Sequence, residues 1–416
     1  GLDREKYTFS LMNFSAQTSV NMTQDIVDGK LDKRRKGVFG PPIGKRMMIL
    51  VDDVNMPQVE TYGAQPPIEL LRQWMDHGGW YDRKELTFRQ LVDIQFVAAM
   101  GPPGGGRNGI TNRYARHFSL FSITEFDDES LGLIFNSLMQ WWHKKFDLPE
   151  SLGKRIPQMV KASIETYRSV QTDLLPTPAK THYTFNLRDI SKVFQGIVSA
   201  GKQVQEPGEM MRLWAHETMR VYHDRLINDD DREYLTALCV RVVENQLKEK
   251  FSKVMTRTLD DQKVSLDEDG LNRLSFGDFM VPGADPRFYR EVPDEEKFLN
   301  VVNDYLADHN AVSKKPLNLV MFGYALSHVS RICRIVNLPG GHALLVGLGG
   351  SGRQSLARLA AFMEEYEVFQ IELSKTYSKV EWADDLRKVL RMAGELNKRV
   401  LFLLSDVQIK WEGMVE

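Results

Sequence analysis

An α/β fold with a parallel sheet, joined to a helical domain, is predicted by three observations. Over residues 1–123, short apolar runs bounded by turn residues alternate with amphipathic stretches, the order that builds parallel sheets with helices on their faces. The strand signal then fades, and residues 124–255 carry helical periodicities. Further on, Ala343-Leu344-Leu345-Val346 runs into Gly347-Leu348-Gly349-Gly350-Ser351-Gly352-Arg353-Gln354-Ser355, after which Leu356, Leu359, Ala360 and Met363 recur at helical spacing. Strand, glycine turn, helix is the layout of a phosphate-binding loop, in which backbone N–H groups and the positive helix end face an anion.

The totals bound the function classes. A length of 416 residues suits two or three domains. Lys+Arg 54 against Asp+Glu 56 leaves a net charge of −2, which gives no basic footprint for nucleic acid. Two cysteines, Cys239 and Cys333, make no disulfide framework and point to a reducing compartment. No apolar run approaches the roughly 20 residues that span a bilayer. The opening residues have neither signal- nor transit-peptide character. A soluble, intracellular chain with no membrane partner is expected.

Each element has its own signal. Tyr7 to Phe14 alternates as a strand does, and the basic run Asp32–Lys36 is expected as a solvated helix face. Met47-Met48-Ile49-Leu50-Val51 is a buried strand that ends in Asp52-Asp53. In a parallel sheet that end faces the ligand crevice, and paired carboxylates there suit a Walker B role, one organising Mg²⁺ and one positioning water; taken alone, a strand that simply ends in a polar turn is the plainer reading and ranks ahead. A helix over Leu70–Met75 closes at His77-Gly78-Gly79. A strand, Ile94–Met100, enters the glycine-rich loop Gly101–Arg107, and a short strand is expected at Phe118–Phe121. In the helical part, Asp127–Ser130 caps a helix with the apolar face Leu131, Ile134, Leu138 and Trp141. Further helices cover about 186–200 and start after Asp229-Asp230-Asp231, with the stripe Leu235, Leu238, Val242 and Val243. Residues 256–299 are polar and read as a connection. Helices over Glu296–Leu306 and Leu317–Val336 precede the glycine loop; strands at Glu367–Glu372 and Val400–Asp406 follow it.

Local pattern leaves the loop's ligand open. Gly347 to Gly352 satisfies G-x-G-x-x-G, and Glu372 stands 20 residues on, where a dinucleotide fold keeps its ribose-binding acid. A Walker A loop needs G-x-x-x-x-G-K-[ST]. Here Arg353 holds the lysine position and Gln354 the hydroxyl position, with Ser355 one residue late. Arginine meets phosphates with a planar fork, not as an ammonium does, and Gln354 has no hydroxyl for Mg²⁺. Locally the dinucleotide reading ranks ahead, and a structural turn without ligand stays open.

Longer strings carry a resemblance. Asn13-Phe14-Ser15-Ala16-Gln17-Thr18, KLDKRRKGVFGPPIGKRMMILVDDVNMP, YGAQPPIELLRQWMDH, AAMGPPGGGRNGITNRYARHF and YTFNLRDISKVFQGI together resemble dynein heavy chains, the axonemal kind in particular. LPGGHALLVGLGGSGRQSLARLAAFM and VLFLLSDVQIK are similar to the next module of the same motor. The resemblance covers nearly the whole chain and is weakest over 256–300. It implies AAA+ P-loop NTPase modules plus an α-helical lid, incomplete at both ends. Residues 1–123 would be the large subdomain of a third module from its second strand onward, 124–255 its helical small subdomain, 256–299 the connection, and 300–416 the fourth module's large subdomain through Walker B.

The resemblance also implies site roles. Asp52 and Asp53 match the Walker B pair, Asp52 on the Mg²⁺ side and Asp53 in the catalytic place usually held by glutamate. Gly101 stands where a sensor asparagine is often found. Arg113 matches the arginine finger that serves the neighbouring module's nucleotide, with Arg116 a weaker candidate that also reads as a surface ion pair. Arg188 in FNLRD resembles sensor 2. In the fourth module, Gly347, Leu348, Gly349, Gly350, Ser351, Gly352, Arg353, Gln354 and Ser355 would hold nucleotide; Ser405 replaces the Mg²⁺-side acid and Asp406 takes the catalytic place. Expected cofactors are ATP or ADP with Mg²⁺. Expected partners are the remaining modules of the same chain and, through other parts, intermediate and light chains and microtubules. The expected location is the cytoplasm, cytoskeleton and ciliary or flagellar axoneme. AAA+ sheets have strand order 5-1-4-3-2, so each module here lacks an internal strand. An excerpt of a longer polypeptide is therefore expected, without a complete ATP site and without a cooperative melt when expressed alone. Two alternatives stand beside the motor ATPase, an ADP-holding structural module and, more remotely, a dinucleotide domain.

Overall fold

The computed structural model describes residues 2–104, 106–259, 262–264, 268–292, 294–313 and 315–415. The chain divides into two compact units, Gly1–Thr124 with Ile409–Glu416, and Glu125–Gln408.

The first unit runs β1 (Tyr7–Asn13), α1 (Val20–Asp28), β2 (Asp32–Arg35), β3 (Val38–Gly40), β4 (Arg46–Asp52), α2 (Pro66–His77), β5 (Gly79–Tyr81), β6 (Phe88–Leu91), β7 (Ile94–Ala98) and α3 (Asn112–Ala115). A parallel sheet of order β1-β4-β7 forms its centre, with Asn13 opposite Asp52 and Leu50 opposite Val97. The middle strand buries Met47, Ile49 and Val51 on one face, against Ile68 and Leu71 of α2 in one apolar core. Helix α2 begins where Pro66 tolerates the unpaired first turn, and it stops at Gly78, whose φ of 71° suits glycine. The basic run Asp32–Lys36 forms no helix face. Its first four residues are β2, at one edge of a sheet of order β2-β3-β6-β5. The strand expected at Phe118–Phe121 is also absent: the segment joins no ladder, and Leu120, Phe121 and Ile123 are exposed. An apolar run becomes a strand only where a neighbour takes its N–H and C=O groups.

The second unit opens with α4 (Asp128–Lys145), α5 (Glu150–Asp173), α6 (Leu187–Ser199), α7 (Pro207–Val221), α8 (Asp229–Leu247) and α9 (Phe251–Val254). Asp127 caps α4 through the Ser130 N–H, and Asn186 with Asp189 forms a capping box on α6. The buried stripe of α8 contains Leu235, Leu238, Val242 and Val243, as its periodicity predicts. On α4 the buried stripe is Leu131, Phe135, Met139 and Trp142, while Ile134, Leu138 and Trp141 are exposed. The expected face is turned by about one residue, or roughly 100°.

The stretch read as a connection folds: β8 (Arg257–Leu259) pairs with β9 (Gln262–Val264), α10 (Glu268–Arg273) follows, and β10 (Phe276–Gly277) pairs with β11 (Arg290–Glu291). Leu271, Leu274 and Phe276 complete the apolar core that starts in α4, and Phe279 begins the next core. That core continues through α11 (Glu295–Val312), α12 (Gly323–Asn337) and α13 (Arg353–Met363). Helix α12 starts at Gly323, six residues after the expected Leu317. Strand β12 (Glu367–Phe369), helix α14 (Lys379–Gly394) and strand β13 (Val400–Phe402) follow, with β12 and β13 parallel. Both strands are shorter than expected. The segment Ala343–Val346 lies in no ladder, and Leu344 and Val346 are 90% and 85% exposed, so the strand expected there is not formed. The stripe Leu356, Leu359, Ala360 and Met363 of α13 is buried.

One ion pair joins α7, a helix of the core that starts in α4, to α12 of the core that follows it. Glu217 is wholly buried and accepts from Arg334 Nε at 3.0 Å and from Tyr289 Oη at 2.7 Å. A Cβ on Gly196 would come within 1.8 Å of Glu217 Oε2, so α6 passes this carboxylate only as glycine. Nearby, burial and the Arg220, Arg232 and Arg331 charges depress the His223 imidazole to about 4 against the opposing pull of Asp224. The unfolded chain then binds that proton first. The stability His223 contributes is complete above about pH 6.5 and is lost as pH falls toward 4, by at most about 1.4 kcal/mol per pH unit. Glu364, raised to about 7 by burial and Asp278, works in the opposite sense between 4.5 and 7. The test is therefore differential: wild-type stability minus that of His223→Asn should decline from pH 6.5 to 4, and a pH-independent difference would sink the assignment. No helix among the described residues is long and apolar enough to cross a membrane.

Candidate functional site

The first candidate site lies at the carboxyl edge of the β1-β4-β7 sheet. Val51 accepts the Ala99 N–H at 2.9 Å and Ala99 accepts the Val54 N–H at 3.0 Å, so the turns after β4 and β7 run side by side. Asp52 is exposed at the end of β4, and its Oδ1 accepts the Asp53 N–H at 3.0 Å. Asp53 sits at φ 50°, a left-handed conformation that non-glycine residues adopt at a cost and that clusters at functional turns. Asn55 is wholly buried and pins the glycine-rich loop at both ends: its Nδ2 donates to Gly101 O and Asn108 O, each at 2.9 Å. Its Oδ1 is buried without a hydrogen-bond partner among the described residues.

Arg107 is drawn into this site. Its Nε stands 3.7 Å from Asp53 Oδ1, and a Cβ on Gly101 would meet that Nε at 2.7 Å. The missing side chain at 101 is thus what admits the guanidinium. Gly105, inside the same loop, lies outside the described residues. Asp52 and Asp53 offer carboxylate oxygens, the donor type that a hard divalent cation takes.

Arg113 lies within α3 and Arg116 caps its end, on the same unit. Arg116 Nη2 contacts Asp76 Oδ1 at 2.8 Å, where His117 Nε2 also reaches at 3.0 Å. This is the surface ion pair of the plainer reading. Arg113 is 63% exposed and holds Glu69 through one contact of 3.3 Å, so it is tethered lightly. Arg188 belongs to the second unit, exposed in the first turn of α6 with no side-chain partner among the described residues. A cation is locally disfavoured at a positive helix end.

The second candidate site is the turn before α13. Gly350 and Gly352 have φ of 79° and 77° with Ser351 between them, the alternation that turns successive N–H groups toward an anion. Gly352 is also the N-cap of α13. Arg353 folds back over the turn, its guanidinium donating to Leu345 O at 3.4 Å and Leu348 O at 3.2 Å. A phosphate oxygen is a stronger acceptor than either carbonyl. Leu348 is exposed and Ser355 half-buried in this loop. Gln354 accepts from Gln370 Nε2 at 3.4 Å, and Ser405 donates through both N–H and Oγ to Gln408 Oε1 at 2.9 Å. Asp406 is exposed, and Glu372 lies beyond the end of β12, also exposed.

Residues 1–126 match the family described as the P-loop containing dynein motor region, 159–261 the AAA+ lid domain, and 317–416 the P-loop containing dynein motor region D4. The chain is 48% identical over 422 residues to dynein axonemal heavy chain 1 of Homo sapiens, covering 99% of this chain and 10% of that protein. The chain belongs to the axonemal dynein heavy chain family. Dynein axonemal heavy chain 3 of Mus musculus is 47% identical over 418 residues, covering all of this chain and 10% of its own length. Dynein axonemal heavy chain 12 of Mus musculus is 47% identical over 392 residues, 94% of this chain and 13% of that one. The chain thus spans about a tenth of the dynein heavy chains it matches. Its fold is that of AAA+ dynein domains with a lid.

Asn55, Gln370 and Gln408 carry no signal as site residues in the sequence. Arg107 could have been flagged as a lone cation in a glycine loop after a strand; Gln370 and Gln408 become visible only when β12 and β13 pair.

Proposed function

We propose that this chain contributes regulatory nucleotide sites to a microtubule-based motor ATPase of cilia and flagella. The observation that carries the proposal is the Asp52-Asp53 turn held against the Gly101 turn at the carboxyl edge of a sheet within a dynein motor region. Phosphoryl transfer needs positioning and charge neutralisation more than covalent help from the protein. In this reading Asp52 would hold Mg²⁺, which would neutralise phosphate charge when bound. Asp53 would orient the attacking water, one methylene short of the usual glutamate. Arg188 would read the terminal phosphate from the lid, and Arg113 would serve the neighbouring module. Residues 1–123, 124–255, 256–299 and 300–416 are assigned to third-module large subdomain, lid, connection and fourth-module large subdomain. Partners would be the other modules, intermediate and light chains and microtubules, in the axoneme.

For the Gly347–Ser355 loop a second reading has its own support, an ADP-holding module that braces the structure. Gln354 and Ser405 stand where a hydrolysing site keeps its hydroxyl and acid, and Asp406 points to no partner among the described residues. Identification of the nucleotide released from the intact heavy chain, with density assigned at each loop, tests both. ATP or ADP beside Asp52-Asp53 and ADP at Gly347–Ser355 are expected; NAD(P) at the latter would restore the dinucleotide reading.

A further inference from the structure

A nucleotide loop of ordinary chemistry traps Mg²⁺ between a hydroxyl at the helix start and a carboxylate on the neighbouring strand. In this chain those two places are joined by neutral groups. Gln370 Nε2 donates to Gln354 Oε1 at 3.4 Å and to Gln408 Oε1 at 3.3 Å. Gln408 Oε1 also takes the Ser405 N–H and Oγ–H, each at 2.9 Å. Gln408 itself is buried, and its Nε2 donates to Ile371 O at 2.5 Å. The chain of amides therefore runs from the first turn of α13 across the end of β12 to the end of β13, with its central acceptor saturated.

This donor set does not fit a divalent cation. Mg²⁺ sheds water reluctantly and is held through charged oxygens; the linked groups are three amides and one hydroxyl. Positive charge comes from the protein instead: Arg353 lies over the glycine turn, and Arg358 donates to Gln370 Oε1. With Arg353 and a helix end as the cationic partners over the turn, and Arg358 engaged by Gln370, the less charged nucleotide is the better match. We propose that the Gly347–Gly352 loop binds a nucleoside diphosphate without a divalent metal, the amide chain from Gln354 to Ser405 standing where the metal and its ligands would be. The proposal rests on the nucleotide reading of this loop.

The test is an ADP titration of the intact heavy chain, in Mg²⁺ and in excess EDTA, with occupancy of this loop read from density at Gly347–Gly352. Wild-type apparent affinity should change by less than about threefold between the two conditions. The double substitution Gln354→Thr/Ser405→Asp supplies the hydroxyl and the carboxylate, and it should make binding at least about tenfold weaker in EDTA than in Mg²⁺. A wild-type loss of tenfold or more in EDTA would overturn the metal-free assignment and leave the nucleotide reading intact. A loop empty of ADP in both conditions would overturn the nucleotide reading and this inference with it. If the double variant fails to fold, the wild-type comparison still decides.

Discussion

Arg334→Ala is expected to destabilise the second unit by about 3–5 kcal/mol, because it leaves an unpaired carboxylate in a dry interior. Glu217 is wholly buried and Arg334 nearly so. The guanidinium reaches both carboxylate oxygens, with Nε at 3.3 Å and 3.0 Å, and Nη2 contacts Oε2 as well. Among the described residues Tyr289 would remain as the hydrogen-bond donor to Glu217. The pair as a whole contributes less than either deletion suggests, since both charges were desolvated to make it. Arg334→Met combined with Glu217→Gln should therefore cost clearly less than the sum of the single changes. Urea denaturation can follow both, using the fluorescence of Trp214, buried on the same helix as Glu217. A loss below about 1 kcal/mol for Arg334→Ala would show that water reaches the carboxylate and that the burial argument is wrong.

The largest effect on chemistry is expected at Asp53. In the intact heavy chain, Asp53→Asn should leave nucleotide binding at that site largely intact and slow its hydrolysis about 100-fold, the scale of a lost water-positioning carboxylate. Gly101→Asn probes the same carboxylate indirectly. Its Cβ would sit 2.7 Å from Arg107 Nε and 2.9 Å from Cδ, so the guanidinium must leave Asp53. Hydrolysis should fall about tenfold, a change of about 1.4 kcal/mol in the barrier. In an Arg107→Ala background the asparagine has nothing to displace, and the further loss should be small. The readout is the species trapped at the site after incubation with ATP: ADP in wild type, ATP in Asp53→Asn. Additive losses for Gly101→Asn and Arg107→Ala would sever the proposed link between the loop and the acid.

Legibility in the sequence follows the range of the interactions. Helix α2 announces itself with Pro66-Pro67 and Gly78, and α6 with Asn186 and Asp189, because capping is settled within four residues. The acid pair after β4 and the glycine turn before α13 are visible for the same reason. The face of α4 is not. That helix carries Ile134, Leu138 and Trp141 beside Phe135, Met139 and Trp142, and only the helices packed against it choose which set is covered. Apolar content also misleads at Phe118–Phe121 and Ala343–Val346, where no ladder forms. The site residues without a sequence signal act over distance. Asn55 joins backbone groups 46 and 53 residues away, and Gln408 reaches Gln370 across 38. The wider assignment of roles comes from the resemblance to dynein heavy chains; spacing alone leaves the glycine loop between two ligands.

The Glu217–Arg334 pair has a mechanical side. An apolar contact yields gradually, since its layers can slide while staying dry. A buried ion pair has no such intermediate: drawing α7 away from α12 far enough to strain the bond, but not far enough to admit water, gives up attraction with no hydration in return. The junction should therefore behave as brittle, stiff under small loads and failing all at once. A pull on the helical lid would pass undamped into α12, the helix that leads into the glycine turn.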